Sequence, residues 1–279
     1  MIIGRQKNLH AQLLIGFNGV LSIRDITEDT ILDAFRVCSF NKLDDPLQKE
    51  GMRLKEEWLR GMLKDFGACT KIAYMEERPV AQILYLPEEA VPFIPQPRER
   101  VVLLNCVYNP FAEFKRKGVA TALMEALIDE CRMGLPILEG QACKFVVAKP
   151  FEAREGFSMA DFYRRFGFRE GSFEMYLEIA GVYEAREPGR YVPIMEDEGR
   201  VVVFFDVMCE WGFSHASRVE QVINEVAPDV DVELINPWER PEEYLKRGNH
   251  WLVVNAKPIK SYVTQGQKFR DEVLEALKD

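Results

Sequence analysis

Hydrophobic positions along the chain repeat with two different periods. Residues 26–38 and 45–67 carry apolar side chains three or four positions apart, which predicts two helices, the second ending at Gly67. Further helical periods cover residues 114–134 and 159–166. Runs rich in β-branched and aromatic residues predict strands at residues 20–23, 71–86, 100–108, 143–149 and 173–179. This succession predicts an α/β fold in which a mixed sheet is flanked by helices.

A polar stretch containing proline and glycine, residues 184–199, interrupts this pattern and resembles a linker. The pattern that follows, within residues 200–279, runs strand, helix, strand, helix, strand, strand, helix. A length of 279 residues also suits two domains. We therefore expect one domain over residues 1–188 and a smaller α/β domain over residues 189–279.

The charge balance restricts the possible partners. The chain has 36 basic and 45 acidic residues and a net charge of −9, which argues against attraction to nucleic acid or to anionic lipid. The N-terminal stretch lacks the pattern of a secretory signal, and no apolar run reaches the ~20 residues of a membrane span. We expect a cytoplasmic protein without nucleic-acid or membrane partners; its oligomeric state is left open.

Cysteine and histidine usage gives little support for metal or histidine chemistry. The six cysteines show no C-x-x-C and no metal-finger spacing, so we expect reduced thiols and no metal site. With only three histidines in the chain, catalysis by histidine is not expected.

The segment LLNCVYNPFAEFKRKGVATALM joins a buried strand to a helix through a basic turn with a glycine. Such a turn directs free backbone N–H groups, the helix dipole and several cations at one point, where a pyrophosphate would fit. The alternative is a solvated basic face. The candidate binding residues are Lys115, Arg116, Lys117, Gly118, Val119, Ala120 and Thr121.

A second segment, FYRRFGF, occupies residues 162–168 and follows the glycine turn after one intervening strand. The two motifs together resemble those of the GNAT superfamily of N-acetyltransferases, whose acetyl-CoA signature [Q/R]-x-x-G-x-[G/A] is followed by F-Y-x-x-x-G-F. The resemblance covers residues 20–180 in element order. The sequence departs from the family pattern at Lys115, where the family has Gln or Arg, at Met159, where alanine is usual, and by two extra residues after Pro110.

The resemblance implies acetyl-CoA as cosubstrate and direct transfer to a small-molecule or peptide amine in a ternary complex. It implies that the strand residues Asn105, Cys106 and Val107 hold the pantetheine arm and thioester. It also implies that Tyr163 protonates the departing thiolate, the alternative being that its ring only packs in an aromatic cluster. No general base is assigned, because Asn105 carries an amide where some relatives carry a carboxylate.

Two other functions stay open beside this one. Cys106 could be a nucleophile that forms an acyl-enzyme, although a small strand residue explains it better. The whole chain could also be a non-catalytic acyl-CoA sensor or adaptor whose C-terminal domain binds a partner.

The element order after residue 200 resembles the thioredoxin fold and, fused to a GNAT-like domain, a YoaP-like domain. Cys209 then stands where the first redox cysteine would lie, before a helix N-terminus that lowers a thiol pKa. Because Gly212 replaces the second cysteine, dithiol chemistry is not expected. Cys209 is therefore structural or, with His215 and His250, a metal ligand. The resemblance to the GNAT superfamily also implies that the amine is recognised by the helix through Trp58, by the loop before it and by residues 91–97.

Overall fold

The computed structural model describes residues 20–150, 158–187 and 189–278. Its larger sheet has seven strands in the order β1-β2-β3-β4-β5-β7-β6, of which β4 and β5 are parallel and the other pairs antiparallel. The mixed sheet predicted from the sequence is thus confirmed, with the short β6 added. The strands are β1 Leu21–Asp25, β2 Thr70–Met75, β3 Arg78–Pro87, β4 Val101–Tyr108, β5 Phe145–Ala148, β6 Arg169–Glu170 and β7 Met175–Glu178.

Four helices flank this sheet: α1 Ile31–Cys38, α2 Pro46–Asp65, α3 Val119–Met133 and α4 Met159–Arg164. Helix α2 begins where Asp45 accepts hydrogen bonds from the backbone of the first turn and proline occupies the first helical position. Helix α3 begins directly after the glycine turn that the sequence predicts, and a 3₁₀ turn and the left-handed Gly118 precede it. It packs across strands β1 to β4. No described helix has the length and apolar character needed to cross a bilayer.

A second sheet has four strands in the order β11-β10-β8-β9, with β8 and β9 parallel and the others antiparallel. Its strands are β8 Arg200–Phe204, β9 Asp231–Ile235, β10 Leu252–Val254 and β11 Lys257–Pro258. Its helices are α5 Gly212–Val226, α6 Pro241–Lys246 and α7 Gln267–Leu277. The second small α/β unit that the sequence predicts is therefore present, although its last strand is shorter than expected.

The domain division itself, 1–188 and 189–279, stays a prediction. Residues 1 and 279 and the expected boundary residue 188 lie outside the described residues. The first sheet ends at Glu178 and the second begins at Arg200.

The second sheet unit contacts the first through residues 205–211, which link β8 to α5. These residues are here named the docking loop. Its Glu210 is fully buried and lies 2.8 Å from the ammonium nitrogen of the equally buried Lys55 on α2. The Ser39 hydroxyl donates to the same carboxylate at 3.1 Å, and the Gln48 side-chain amide donates to the Glu210 carbonyl at 3.3 Å. Both charges are thus paired, and the carboxylate also accepts a hydrogen bond, as a buried ion pair requires.

Close backbone approach and aromatic packing complete this interface. A Cβ at Gly51 of α2 would lie only 2.0 Å from the Glu210 carbonyl oxygen, so a larger residue would clash with the docking loop. Further along α2, the Trp58 ring contacts the Trp238 ring with centroids 5.3 Å apart. The Phe93 ring contacts the same Trp238 ring at 5.6 Å. The C-terminal unit therefore covers the helix and loop that the sequence analysis assigns to amine recognition.

Two glycines of α2 provide a matched test of this docking. Gly51→Ala should lower the free energy of unfolding by about 1–3 kcal/mol, because the added methyl group displaces the docking loop. Gly61→Ala, which adds its methyl group to open space in the same helix, should raise it by roughly 0.5–1 kcal/mol through helix propensity. Denaturant unfolding of both variants measures the difference. Equal effects at the two positions would contradict the observed close approach.

Candidate active site

The C-terminal half of β4 has an edge that β5 does not cover. Pairing between β4 and β5 ends at Leu104↔Ala148, although β4 continues to Tyr108. On its other side, β4 pairs with β3 with an irregularity that leaves Asn105 without a register partner. On the side away from β3, the backbone of residues 105–107 therefore faces a gap that no described strand fills, which is a suitable edge for an extended amide-containing ligand.

The turn that follows presents the start of a helix without a cap. Gly118 is the N-cap residue of α3 with φ +81°, and no side chain caps the helix there. The first helical bond runs from Ala122 N to Gly118 O, so the N–H groups of residues 119–121 precede the intrahelical ladder. Such N–H groups attract an anion.

Three cations lie directly before this helix. Lys115, Arg116 and Lys117 are all solvent-exposed, and Arg116 adopts a positive φ of 61° in the tight turn. They add positive potential to the helix N-terminus. The sequence-predicted phosphate residues are thus brought to one turn.

Tyr163 lies on the short helix α4, whose first turn is capped by Ser158. Its side chain is fully buried, and its hydroxyl has no hydrogen-bond partner among the described residues. Burial, together with the neighbouring Cys106, raises the pKa of the phenol well above its usual value. A buried hydroxyl left unpaired costs about 1–3 kcal/mol. Packing in the aromatic cluster accounts for the position of the Tyr163 ring. It does not account for a buried hydroxyl without a hydrogen-bond partner among the described residues.

The phenylalanines of the same motif have a structural role. Phe162 contacts Phe166 with ring centroids 5.1 Å apart, and Phe168 contacts Tyr163 at 5.4 Å. These contacts account for the aromatic part of the motif as core packing.

Cys106 lies half-buried on β4 between several charged groups. Desolvation raises the pKa of its thiol; the Lys55 ammonium acts in the opposite direction, and Glu210 and Asp206 raise it further. A thiol held in its protonated form is a poor nucleophile. The structure therefore favours the interpretation of Cys106 as a lining residue over that of an acyl-carrying nucleophile.

The expected lowering of the Cys209 pKa by a helix N-terminus is wrong. Cys209 is exposed, but α5 begins only at Gly212. Desolvation and the adjacent Glu210 raise the pKa of the thiol to about 12, while Lys55 opposes them. The proposed metal partners are engaged elsewhere, His215 with Trp251 and His250 with Tyr191. Within the described ranges, no three histidine, cysteine or acidic side chains are grouped to hold a metal.

Sequence reasoning missed the acidic side chains that the docking loop brings to β4. Asp206 and Glu210 both raise the pKa of Cys106, although they lie 100 and 104 positions after it in the sequence. One signal was available. Lys55 interrupts the apolar stripe of α2, four positions before Leu59 and seven before Met62, and a lysine at such a position needs a buried partner.

A cavity of about 680 Å³ lies elsewhere on the molecule. It is lined by the linker, including Arg186, and by Pro95, Gln96, Arg98, Leu245, Gly248 and Asn249. Both arginines are paired with the buried Glu88. Pro95 and Gln96 belong to the segment expected to recognise the amine, whereas none of the candidate cofactor-binding or catalytic residues lines this cavity.

Labelling with an alkylating reagent tests the raised pKa of Cys209. Exposure favours labelling, whereas a raised pKa slows it because only the thiolate reacts. With a pKa of about 12, its thiolate fraction at pH 7.5 should be on the order of a thousandfold below that of a free cysteine. Iodoacetamide labelling followed by mass spectrometry should find Cys209 much slower than glutathione at pH 7.5. Its rate should rise about tenfold per pH unit up to pH 10, since the thiolate reacts. Labelling as fast as that of glutathione would show that the pKa of Cys209 is not raised.

No family model matches the chain, and no curated protein matches it either. Solved structures do. A GNAT family acetyltransferase from Brucella melitensis in complex with acetyl-CoA has 14% identity and a TM-score of 0.37, over 58% of this chain and 89% of its own. PaiA N-acetyltransferase from Thermoplasma acidophilum in complex with coenzyme A has 14% identity and a TM-score of 0.39, over 57% and 98%. Ribosomal-protein-alanine N-acetyltransferase from Brucella melitensis has 18% identity and a TM-score of 0.40, over 56% and 99%. These values are too low to assign a family, so any functional conclusion depends on the chain's own residues.

Proposed function

We propose that this chain is an acetyl-CoA-dependent N-acetyltransferase that transfers the acetyl group directly to an amine. The observation that carries the proposal is the buried, unpartnered Tyr163 hydroxyl beside Cys106 on the uncovered half of β4. The uncapped start of α3 follows that strand by a short turn. In chain order, these features provide a strand edge, an anion site and a proton donor.

The residues present fit the cosubstrate in three parts. The N–H groups of residues 119–121 suit the pyrophosphate, and Gly118 keeps the approach open because no side chain extends from it. The exposed cations of residues 115–117 suit the 3′-phosphate. The free edge of residues 105–107 suits the amide groups of the pantetheine arm.

Acetyl-CoA supplies the activated acetyl thioester, and the chain supplies the proton transfers and the positions. Tyr163 keeps its proton through the neutral range because its pKa is raised, so it can donate to the sulfur as the thiolate leaves. Backbone donors on the β4 edge can stabilise the developing oxyanion. Cys106 lines the site as a neutral thiol.

A C-terminal thioredoxin-like, YoaP-like domain is the second part of the proposal. Its support is the strand order and the mixed directions of the four-stranded sheet. Gly212 in place of a second cysteine and the raised pKa of Cys209 argue against an oxidoreductase.

A non-catalytic acyl-CoA sensor or adaptor is the second candidate function. It is favoured by the aromatic contacts of Trp58 and Phe93 with Trp238, which cover part of the surface expected to receive an acceptor. Acetyl-CoA binding without turnover of any amine in a broad panel would support it over the enzyme.

Cofactor binding is tested with two glycines that share a left-handed backbone. Gly118→Val and Gly140→Val both place a side chain at a positive φ with open space around it, so both should lower the melting temperature. Only Gly118→Val should abolish acetyl-CoA binding, since only that turn faces the pyrophosphate. Isothermal calorimetry with acetyl-CoA measures this. Undisturbed binding in Gly118→Val, or no binding by the wild type at millimolar ligand, would reject the site.

Tyr163→Phe tests the proton donor. We expect kcat to fall by about 10²–10⁴-fold while acetyl-CoA affinity is unchanged. Stability should not fall, because the hydroxyl makes no hydrogen bond to a described residue. The control Tyr191→Phe removes a hydroxyl that donates to Asp197 at 2.9 Å, so it should lower stability and leave kcat intact. A kcat of Tyr163→Phe within about threefold of wild type would show that another group serves as the acid.

A further inference from the structure

Three aromatic side chains at the end of β4 are too exposed to be core residues. Tyr108 is the last residue of β4, Phe40 lies in the loop between α1 and α2, and Trp211 ends the docking loop. Their exposed fractions are 42%, 43% and 39%. Exposed apolar side chains scattered singly are ordinary, whereas several at one place on the surface indicate a binding site.

Hydrogen bonds to Cys38, the last residue of α1, bring two of these side chains together. The Trp211 indole N–H donates to the Cys38 carbonyl at 3.2 Å. The Gln82 side-chain amide of β3 donates to the Cys38 sulfur, and Gln82 is the β3 residue that pairs with Tyr108. Residues paired across neighbouring strands point to the same face of a sheet. Tyr108 therefore points to the face on which Trp211 is bonded to α1.

Phe40 joins the other two from the loop that follows Cys38. Its ring contacts the Phe111 ring with centroids 4.9 Å apart, and Phe111 lies three residues after Tyr108. Because Phe111 is buried, the Phe40 ring rests on a fixed support. Phe40, Tyr108 and Trp211 thus share one place on the surface, and they are here named the aromatic patch.

The aromatic patch adjoins the strand edge that suits the thioester. Pairing of β4 with β5 ends at Leu104, so Tyr108 belongs to the same uncovered half of β4 as residues 105–107. Two residues of a strand span about 7 Å, a length that a short alkyl chain between an aromatic ring and an amine bridges. Burial raises the pKa of the Tyr108 phenol above its ordinary value, so the patch carries no charge at neutral pH.

The size of the aromatic patch favours a small ligand over a protein partner. Aromatic side chains have surfaces of about 150–250 Å² each, so two-fifths of three such surfaces is on the order of 300 Å². A stable protein interface buries about 800 Å² per partner. Three rings from three separate elements can contact one flat ring from more than one side, in the edge and face geometries that aromatic pairs prefer.

We propose that the acceptor amine carries an aromatic ring, that the aromatic patch binds this ring, and that the C-terminal unit supplies one wall of the acceptor site through Trp211. The inference rests on the proposed function and names its substrate class. It also gives the docked C-terminal unit a role in acceptor selection, because Trp211 reaches α1 only when the docking loop lies against the first unit.

The test compares two probe amines, 2-phenylethylamine and ethylamine, which differ only by the aromatic ring. Both are ammonium ions near neutral pH, so charge does not distinguish them. Release of free CoA is measured at saturating acetyl-CoA. For the wild type we expect kcat/KM to be at least about 10-fold higher with 2-phenylethylamine, because the aromatic patch removes its ring from water.

Alanine variants of the aromatic patch should lose this preference. Phe40→Ala and Trp211→Ala should each lower kcat/KM with 2-phenylethylamine by about 5–20-fold, through KM, and change kcat/KM with ethylamine by less than about twofold. The ethylamine rate shows in each case that the variant is folded. Trp211→Phe keeps a ring and loses the N–H donor, so its preference should stay within about threefold of the wild type.

Phe66→Ala is the matched control. Phe66 is also about two-fifths exposed, at 40%, but it lies at the other end of α2, about 30 Å from the first residue of the helix. This variant should resemble the wild type with both amines. A loss of preference in Phe66→Ala equal to that in Phe40→Ala would overturn the inference.

Several other results would overturn the aromatic acceptor. They are equal wild-type kcat/KM for the two amines, acetylation of neither, or equal losses with both amines in the alanine variants. Weaker acetyl-CoA binding by Phe40→Ala in calorimetry would assign the patch to the cosubstrate, and a dimer dissociated by the same change would assign it to a second copy. A wild type that does not bind acetyl-CoA would instead reject the proposed function.

Discussion

The buried ion pair between Lys55 and Glu210 determines how the two sheet units of this protein meet. Taking both charges out of water is costly, and the pair is tolerable because each is paired and the Ser39 hydroxyl also donates to the carboxylate. Leaving either charge alone would cost about 3–5 kcal/mol, so the docking loop is held in one position. The opposing effects of Glu210 and Lys55 on the pKa of Cys106 depend on that position.

The candidate site is assembled from elements that are distant in sequence. The uncovered β4 edge and the uncapped α3 are consecutive, and Tyr163 comes from α4. Positive charge is concentrated at one end of the site, where exposed cations precede the helix start. This arrangement suits a ligand that is anionic at one end.

Apolar periodicity alone predicted most of the helices and strands, because each buries one face. The α2 stripe and its end at Gly67 are examples. The glycine turn marked the start of α3, because a left-handed glycine after a 3₁₀ turn directly precedes the helix. The candidate phosphate residues lie in one turn because they are consecutive in sequence. The contacts of the docking loop could not be predicted, because Glu210 meets Lys55, 155 positions earlier in the sequence, only when the second unit packs against α2. The direction of the Cys209 pKa shift depends on desolvation and on Glu210 in the same loop.

A crystal structure of the protein with bound CoA tests the account most directly. We expect the pyrophosphate at the N–H groups of residues 119–121 and the CoA sulfur within hydrogen-bonding distance of the Tyr163 hydroxyl. The docking loop should remain on α2 with Lys55 and Glu210 paired. CoA bound elsewhere, or a sulfur out of reach of the Tyr163 hydroxyl, would contradict the account.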